Sequence, residues 1–460
     1  MIEWIGDHLA VIMFLVLTFI MFVGYPVAFV LGAVGIAFGY LGVVFGIFNV
    51  VQFSNLLPRV YGQGVENATL VAVPMFIFMG TVLERSGVAE ELLKCLQILF
   101  RRIPGGLALA VVLLGTIMAA TTGIVGASVV MLTLIALPVM IERGYSKELS
   151  LGSIAAAGTL GILIPPSIML VIMGDLMQIS VGTLFAAAII PGLIMSGVYV
   201  VYIIILAFLK PGLAPPLGAH EGPQTSAELW KMVVVTFAPP AFLIFLVLGS
   251  IFGGWATPTE AGGVGCFGAL LLAWRAGKLS FASIKEMSEN SAMTCGVVFF
   301  ILFGATLFSY VFRALGGDDV VIEILKHFGI DSGWEVLIFV MAMAFVMGFF
   351  FDWLEICLIL LPVFTPILAK SAFPGYIEEA KLIPLYFAIL LAVNLQTAFL
   401  TPPFGFALFY MKGVVPPSVT MMHIYRGIVP FILLQLFALA MVMIFPETIF
   451  WLPRRWGMLD

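Results

Sequence analysis

TLGILIPP (residues 159–166) and QTAFLTPP (residues 396–403) decide the fold. Each places a Pro-Pro pair inside a long apolar stretch, and each follows a second matching landmark in the same order. Ser128 stands ten residues before Pro138 in GASVVMLTLIALP (126–138), and Asp352 stands ten residues before Pro362 in FFDWLEICLILLP (350–362). Two landmarks recurring in one order describe an internal repeat, with about a dozen extra residues in the second copy near Phe373-Pro374-Gly375. Proline inside a helix removes a backbone donor and crowds the preceding turn, so each pair breaks a helix. The carbonyls freed by a break cannot stand bare in lipid, and such breaks persist where they are buried in protein or line a polar cavity.

The solvent around these breaks is lipid. Of 460 residues, 62% are hydrophobic and 10% charged, with a mean hydropathy of +1.19, and the apolar runs recur along the whole chain. Charged or Pro/Gly-rich interruptions bound helical segments at 9–24, 26–48, 67–84, 105–121, 128–141, 150–172, 185–209, 231–252, 259–276, 292–312, 334–351, 355–369, 384–411 and 425–449. The N-terminus lacks the positive stretch of a signal peptide, so the run from Leu9 reads as a retained span. The fold expected is an all-α polytopic membrane protein.

Two neighbouring pairs do not read as simple crossings. Segments 105–121 and 128–141 are joined by the uncharged tip Thr121 to Ser128, and 334–351 and 355–369 by Phe351-Asp352-Trp353-Leu354-Glu355. Both read as re-entrant helical hairpins, 105–141 and 334–369, each preceded by a charged amphipathic stretch (84–104 and 313–333) laid along the interface. Counting crossings then puts those two stretches on opposite faces, which makes the repeats inverted. With the N-terminus outside, thirteen of the twenty Lys and Arg fall on inner loops against seven outside, in the sense of the positive-inside rule. The domain reading is N-terminal scaffold helices (1–66), a first repeat (67–209, with broken helix 150–172) and a cytoplasmic linker (210–230). Further scaffold helices (231–291), a second repeat (292–449, with broken helix 384–411) and a C-terminal tail (450–460) complete it, both termini lying on the outer side.

Opposing each break to the hairpin tip of its own repeat gathers loose carbonyls, hydroxyls and helix N-termini near mid-membrane. Oxygens suit a dehydrated cation, and positive helix ends suit a carboxylate. In the first repeat the candidates are Thr121, Thr122, Gly123 and Ser128 of the tip with Gly158 and Thr159, at the break made by Pro165 and Pro166. In the second they are Asp352 of the tip with Asn394, Gln396, Thr397 and Thr401, at the break made by Pro402 and Pro403. For a single Ser or Thr the simpler role is a back-bond to its own helix. Asp352 and Glu355 are costly in an apolar stretch unless paired or ion-bound, the alternative being that Trp353 marks an interface and both acids touch water. Asp175 and Glu260 sit near membrane ends, with Glu260 read as a helix cap.

Other chemistries lack their residues. Cys95, Cys266, Cys295 and Cys357 form no CxxC pair, and His8, His220, His327 and His423 show no HxxH or HExxH spacing, so no structural metal is expected. Ala276-Gly277-Lys278-Leu279 lacks the leading glycine and the hydroxyl of a phosphate-binding loop, so energy has to come from an ion gradient or another subunit. An intramembrane enzyme would want a nucleophile with its base, and no histidine lies in an apolar span. A channel would want a continuous polar path, whereas polar residues here concentrate at two sites.

The runs GIVGASVVMLTLIALPVMIERGY, AAAGTLGILIPPSIMLVIMGD, ATPTEAGGVG and NLQTAFLTPPFGFALFYMKG, in that order, resemble the large membrane subunit of tripartite ATP-independent periplasmic (TRAP) transporters, over nearly the whole chain. The tip Gly-Ile-Val-Gly-Ala-Ser departs from the Ser-Gly-Ser type of many members. The resemblance implies a sodium-coupled importer of small organic acids in a bacterial inner membrane, working by an elevator motion, with sodium at the two clusters and no other cofactor. It also implies two partners, a small four-helix membrane subunit and a periplasmic substrate-binding protein. A self-sufficient carrier of the same architecture, needing neither partner, is the competing reading. Nucleic acid has no place in either.

Overall fold

A computed structural model describes residues 8–122, 125–216, 223, 225–402 and 405–459, apart from the side chains of residues 63 and 119–122. The described residues are helical throughout, save for turns and one isolated bridge between Phe373 and Ile377. Among the described residues seven helices are long and apolar enough to cross a bilayer, and a bent pair adds an eighth candidate.

The chain opens with α1 (Leu9–Phe22) and α2 (Val27–Val44). Residues 50–65, assigned to no element from sequence, form short 3-10, α and π turns, started by a capping box between Asn49 and Gln52. Next come α3 (Ala72–Arg85) and α4 (Val88–Leu99), which meet at 60°. Gly87 stands between them at φ +81°, a backbone state that glycine adopts without strain. The amphipathic stretch thus turns away from the apolar one at the glycine.

The first hairpin is α5 (Gly106–Thr122) and α6 (Val125–Glu142), and the first broken helix is α7 (Lys147–Thr159), a 3-10 turn at Leu160–Ile162, and α8 (Ile168–Met177). Three long helices follow, α9 (Val181–Leu209), α10 (Ser226–Phe252) and α11 (Pro258–Arg275). Glu260 closes a capping box with Thr257 at the start of α11, its backbone-bound carboxylate being that helix's first-turn partner. Helix α12 (Phe281–Ala314) is 34 residues long, so residue 292, where the apolar span was read to begin, lies inside it. The cause is a capping box at Ser280 and Ser283: capping sets where a helix starts, hydropathy only where it enters lipid.

Helix α13 (Gly317–His327) leads to the second hairpin, α14 (Gly333–Met347) and α15 (Trp353–Ala369), and the second broken helix, α16 (Ile383–Leu400) and α17 (Phe406–Val414). The chain ends in α18 (Met421–Ile444) and α19 (Glu447–Arg455). The stretch after 450 is therefore helical in its first half, α19 packs on α9, and Ile449 and Phe450 are buried.

Helices α7 and α16 form the centre: the α16 span is 94% buried, against 17% for α10, which faces outward. Packing around that centre crosses over between the repeats. Helix α7 lies on α5 and α6, and α16 on α14 and α15, so the first half of each broken helix contacts the hairpin of its own repeat. The second halves exchange: α8 packs on α15, and α17 packs on α6. Around them, α2 pairs with α12 and α3 with α11.

Candidate functional site

In the first repeat the break is closed by its own hydroxyls. The Ser167 hydroxyl donates to the carbonyl of Ile162 and accepts from the Leu170 amide, 3.4 Å away, so one buried side chain bridges the gap that Pro165 and Pro166 leave. The Thr159 hydroxyl donates to Ala156, the back-bond weighed as its simpler role. Gly158 is a packing position. A Cβ there would stand 2.4 Å from Cγ2 of Val129, so only glycine lets α7 lie this close to the hairpin. Ser128 is buried in the first turn of α6. Thr121 and Thr122 end α5, and their side chains, like all of Gly123, lie outside the described residues.

The second repeat carries charge and unspent polar capacity. Asp352 is the N-cap of α15: its Oδ1 accepts from the Trp353 amide at 2.8 Å, while Glu355 Oε2 accepts from the Asp352 amide at 2.7 Å. Trp353 is 9% exposed and Glu355 7%, so neither marks a water-facing membrane surface. Asn394 Nδ2 donates to the Met341 carbonyl at 2.7 Å, tying α16 to α14, but its Oδ1 has no partner. Gln396 is fully buried with neither amide atom partnered. Thr397 donates to the Asn394 carbonyl and Thr401 to that of Thr397. Pro402 follows, while Pro403 lies outside the described residues. A buried amide without partners costs about 1–3 kcal/mol, so each such group in a fold asks for an explanation.

The first hairpin's tip meets a residue that sequence reasoning passed over. The Tyr410 ring, on α17, lies against Gly126, where a Cβ would come within 2.8 Å of it. Tyr410 thus ties the helix that follows the second break to the tip of the first hairpin. Its one signal was its place in FGFALFYMKG, eight residues beyond Pro402.

Two polar cavities flank these elements. One, of about 230 Å³, is lined by Ala127 of the first tip and by Thr81, Glu84, Arg85, Asn290 and Thr294 of α3 and α12. The other, of about 880 Å³, is lined by Leu358 and Pro362 of the second hairpin, by Asn67 and Asp175, and by Arg59, Tyr310 and Arg313. At its edge the Arg313 guanidinium donates to the Pro362 carbonyl at 2.6 Å. That carbonyl would ordinarily accept from residue 366, which is proline and has no N–H, so a side chain from α12 supplies the missing donor. Among the described residues no three His, Cys, Asp or Glu stand together as a metal site.

The family model described as tripartite ATP-independent periplasmic transporter, DctM component, matches residues 11–448. The C4-dicarboxylate TRAP transporter large permease protein DctM of Pseudomonas aeruginosa is 32% identical over 400 residues, spanning 85% of this chain and 88% of that one. The isethionate TRAP transporter permease protein DctMQ of Oleidesulfovibrio alaskensis is 28% identical over 417 residues, 90% of this chain but 61% of that longer protein. The YdaH transporter of Alcanivorax borkumensis, whose crystal structure is described as having an unusual topology, matches with a TM-score of 0.62 over 86% of this chain and 88% of that one. Its 16% identity makes that a likeness of fold alone. The chain therefore belongs to the DctM component family of tripartite ATP-independent periplasmic transporters, as a multi-pass permease and not an enzyme.

Proposed function

We propose that this permease is the transport subunit of a sodium-coupled importer of small organic acids. Its two repeats are inverted, with re-entrant hairpins, and the body formed by the hairpins and broken helices slides in an elevator motion against a scaffold of α2, α3, α11 and α12. The observation that carries the reading is that two buried oxygens, Asn394 Oδ1 and Gln396 Oε1, lie without partners on different sides of the helix that ends at the second break. Oxygens held without donors, on a helix packed against the hairpin that Asp352 caps, suit a dehydrated monovalent cation. The acid class rests on relatives named for C4-dicarboxylate and isethionate. The relative named DctMQ, longer than this chain by about a third of its own length, supports a small membrane partner, and the family name supports a periplasmic binding protein. The setting is a bacterial inner membrane with both termini on the periplasmic side.

The test is uptake of succinate or isethionate into proteoliposomes holding this chain, its small partner and the binding protein, with each component and the sodium gradient omitted in turn. Accumulation that requires sodium and the binding protein is expected. Asp352→Asn is expected to raise the sodium concentration for half-maximal uptake about tenfold, the equivalent of ~1.4 kcal/mol. Uptake indifferent to sodium would sink the coupling, and uptake without the binding protein would make the chain a self-sufficient carrier.

A further inference from the structure

The larger cavity holds a guanidinium that the fold does not use. Of its two arginines, Arg313 is committed, donating to the Pro362 carbonyl and standing 3.8 Å from Asp318. Arg59 is not. Its guanidinium carbon lies 4.5 Å above the Tyr310 ring, and it enters no ion pair among the described residues. A guanidinium held over a ring by cation–π attraction spends none of its N–H donors on that contact, and those donors match a carboxylate or sulfonate.

The platform beneath Arg59 is built. The Tyr310 hydroxyl accepts from Asn55 Nδ2 at 3.4 Å, and its ring meets Phe48 edge to face at 6.1 Å. Arg59 itself lies just before the π turn Tyr61–Val65, a backbone form that recurs at functional sites. Asp175, bonded to Asn67, lines the same cavity, so this is one positive edge facing one acidic wall rather than a uniformly positive basin. We infer that Arg59, held on Tyr310, is an acid-group binding site in a vestibule between α12 and the second hairpin, taking the carboxylate or sulfonate of the solute before it reaches the hairpin tips. This deepens the proposed function and rests on it for the class of solute.

Gly62 offers a probe position, since it lines the cavity and a Cβ there meets nothing within 4 Å. Cys95, Cys266 and Cys357 are buried, so Cys295→Ser removes the one cysteine that is partly exposed. In nanodiscs, the full chain carrying Gly62→Cys and Cys295→Ser is labelled with an anionic (sulfonatoethyl) and a cationic (trimethylammonioethyl) methanethiosulfonate. The anionic reagent is expected to react faster, with the preference falling about fivefold when Arg59→Gln is added. Succinate and isethionate should each slow labelling while Arg59 is present and not in Arg59→Gln. In the uptake assay Arg59→Gln should raise KM and leave the maximal rate nearly unchanged, with Arg59→Lys recovering part of the loss. A charge preference indifferent to Arg59, or labelling that neither acid slows, would overturn the site and leave Arg59 as an anchor at the membrane edge. Failure of sodium-driven uptake together with Arg59-dependent, acid-slowed labelling would instead sink the transport reading and keep the site.

Discussion

The two hairpins sit on their broken helices through the same kind of contact but complete their backbones with different chemistry. In the first, hydroxyls suffice: Ser167 bridges the break and Thr159 turns back on its own helix. In the second, a carboxylate pair caps the hairpin, the Gln396 amide lies buried without a partner, and an arginine from another helix satisfies a carbonyl. At the position matching Thr159 the second repeat has Gln396, so a self-satisfied side chain in one copy corresponds to an unsatisfied one in the other. A duplicated backbone plan constrains where donors go missing. It leaves open what replaces them, and the two copies replace them differently.

The contact glycines give the largest effects. Gly348 lies so close to Ala398 that a Cβ would stand 2.4 Å from its Cβ and 2.8 Å from its Cα, and backbone cannot rotate aside. Gly158 meets a Val129 methyl at 2.4 Å but backbone only at 3.2 Å. Gly348→Ala is therefore expected to cost about 2–3 kcal/mol and Gly158→Ala about 1–2, within the range for overpacked cores. Thermal unfolding in detergent would rank them, and Val129→Ala should rescue only Gly158→Ala. Equal costs would mean that the two contacts are alike after all.

Arg313 offers a sharper break of the symmetry. Pro138 corresponds to Pro362, but the residue four beyond it is Glu142, which has an N–H, whereas Pro366 has none. Arg313→Leu is expected to lower stability by about 1–3 kcal/mol by stranding the Pro362 carbonyl. Pro366→Ala, which restores the helix's own donor, should recover most of that loss in a double-mutant cycle. Additive effects would show that Arg313 acts through something other than this carbonyl.

Smaller changes separate stability from transport. Ser167→Ala should cost about 1 kcal/mol, the loss of an N-cap, with uptake falling only as far as folded protein does. Gln396→Leu should do the reverse. Removing an unpartnered buried amide is expected to raise the unfolding temperature slightly, by the equivalent of about 1 kcal/mol, while uptake drops. A stabilised variant with full uptake would make Gln396 a relic rather than a ligand.

Much of this molecule was legible before its coordinates. Hydropathy located the spans, Pro-Pro pairs located the breaks, and Thr257 with Glu260 announced a helix start, because lipid solvation, lost donors and capping act over a few neighbouring residues. The beginning of α12 at Phe281 was missed, since its first turns are polar and the eye follows hydropathy. What tertiary structure alone decided is who meets whom. The exchange that sends α8 to the second hairpin and α17 to the first, the seating of Tyr410 against Gly126, and the reach of Arg313 to Pro362 all join residues distant in sequence. A proline's missing donor is written in one residue, but the group that replaces it comes from whichever helix packs there, and packing is settled by the shapes of many helices at once.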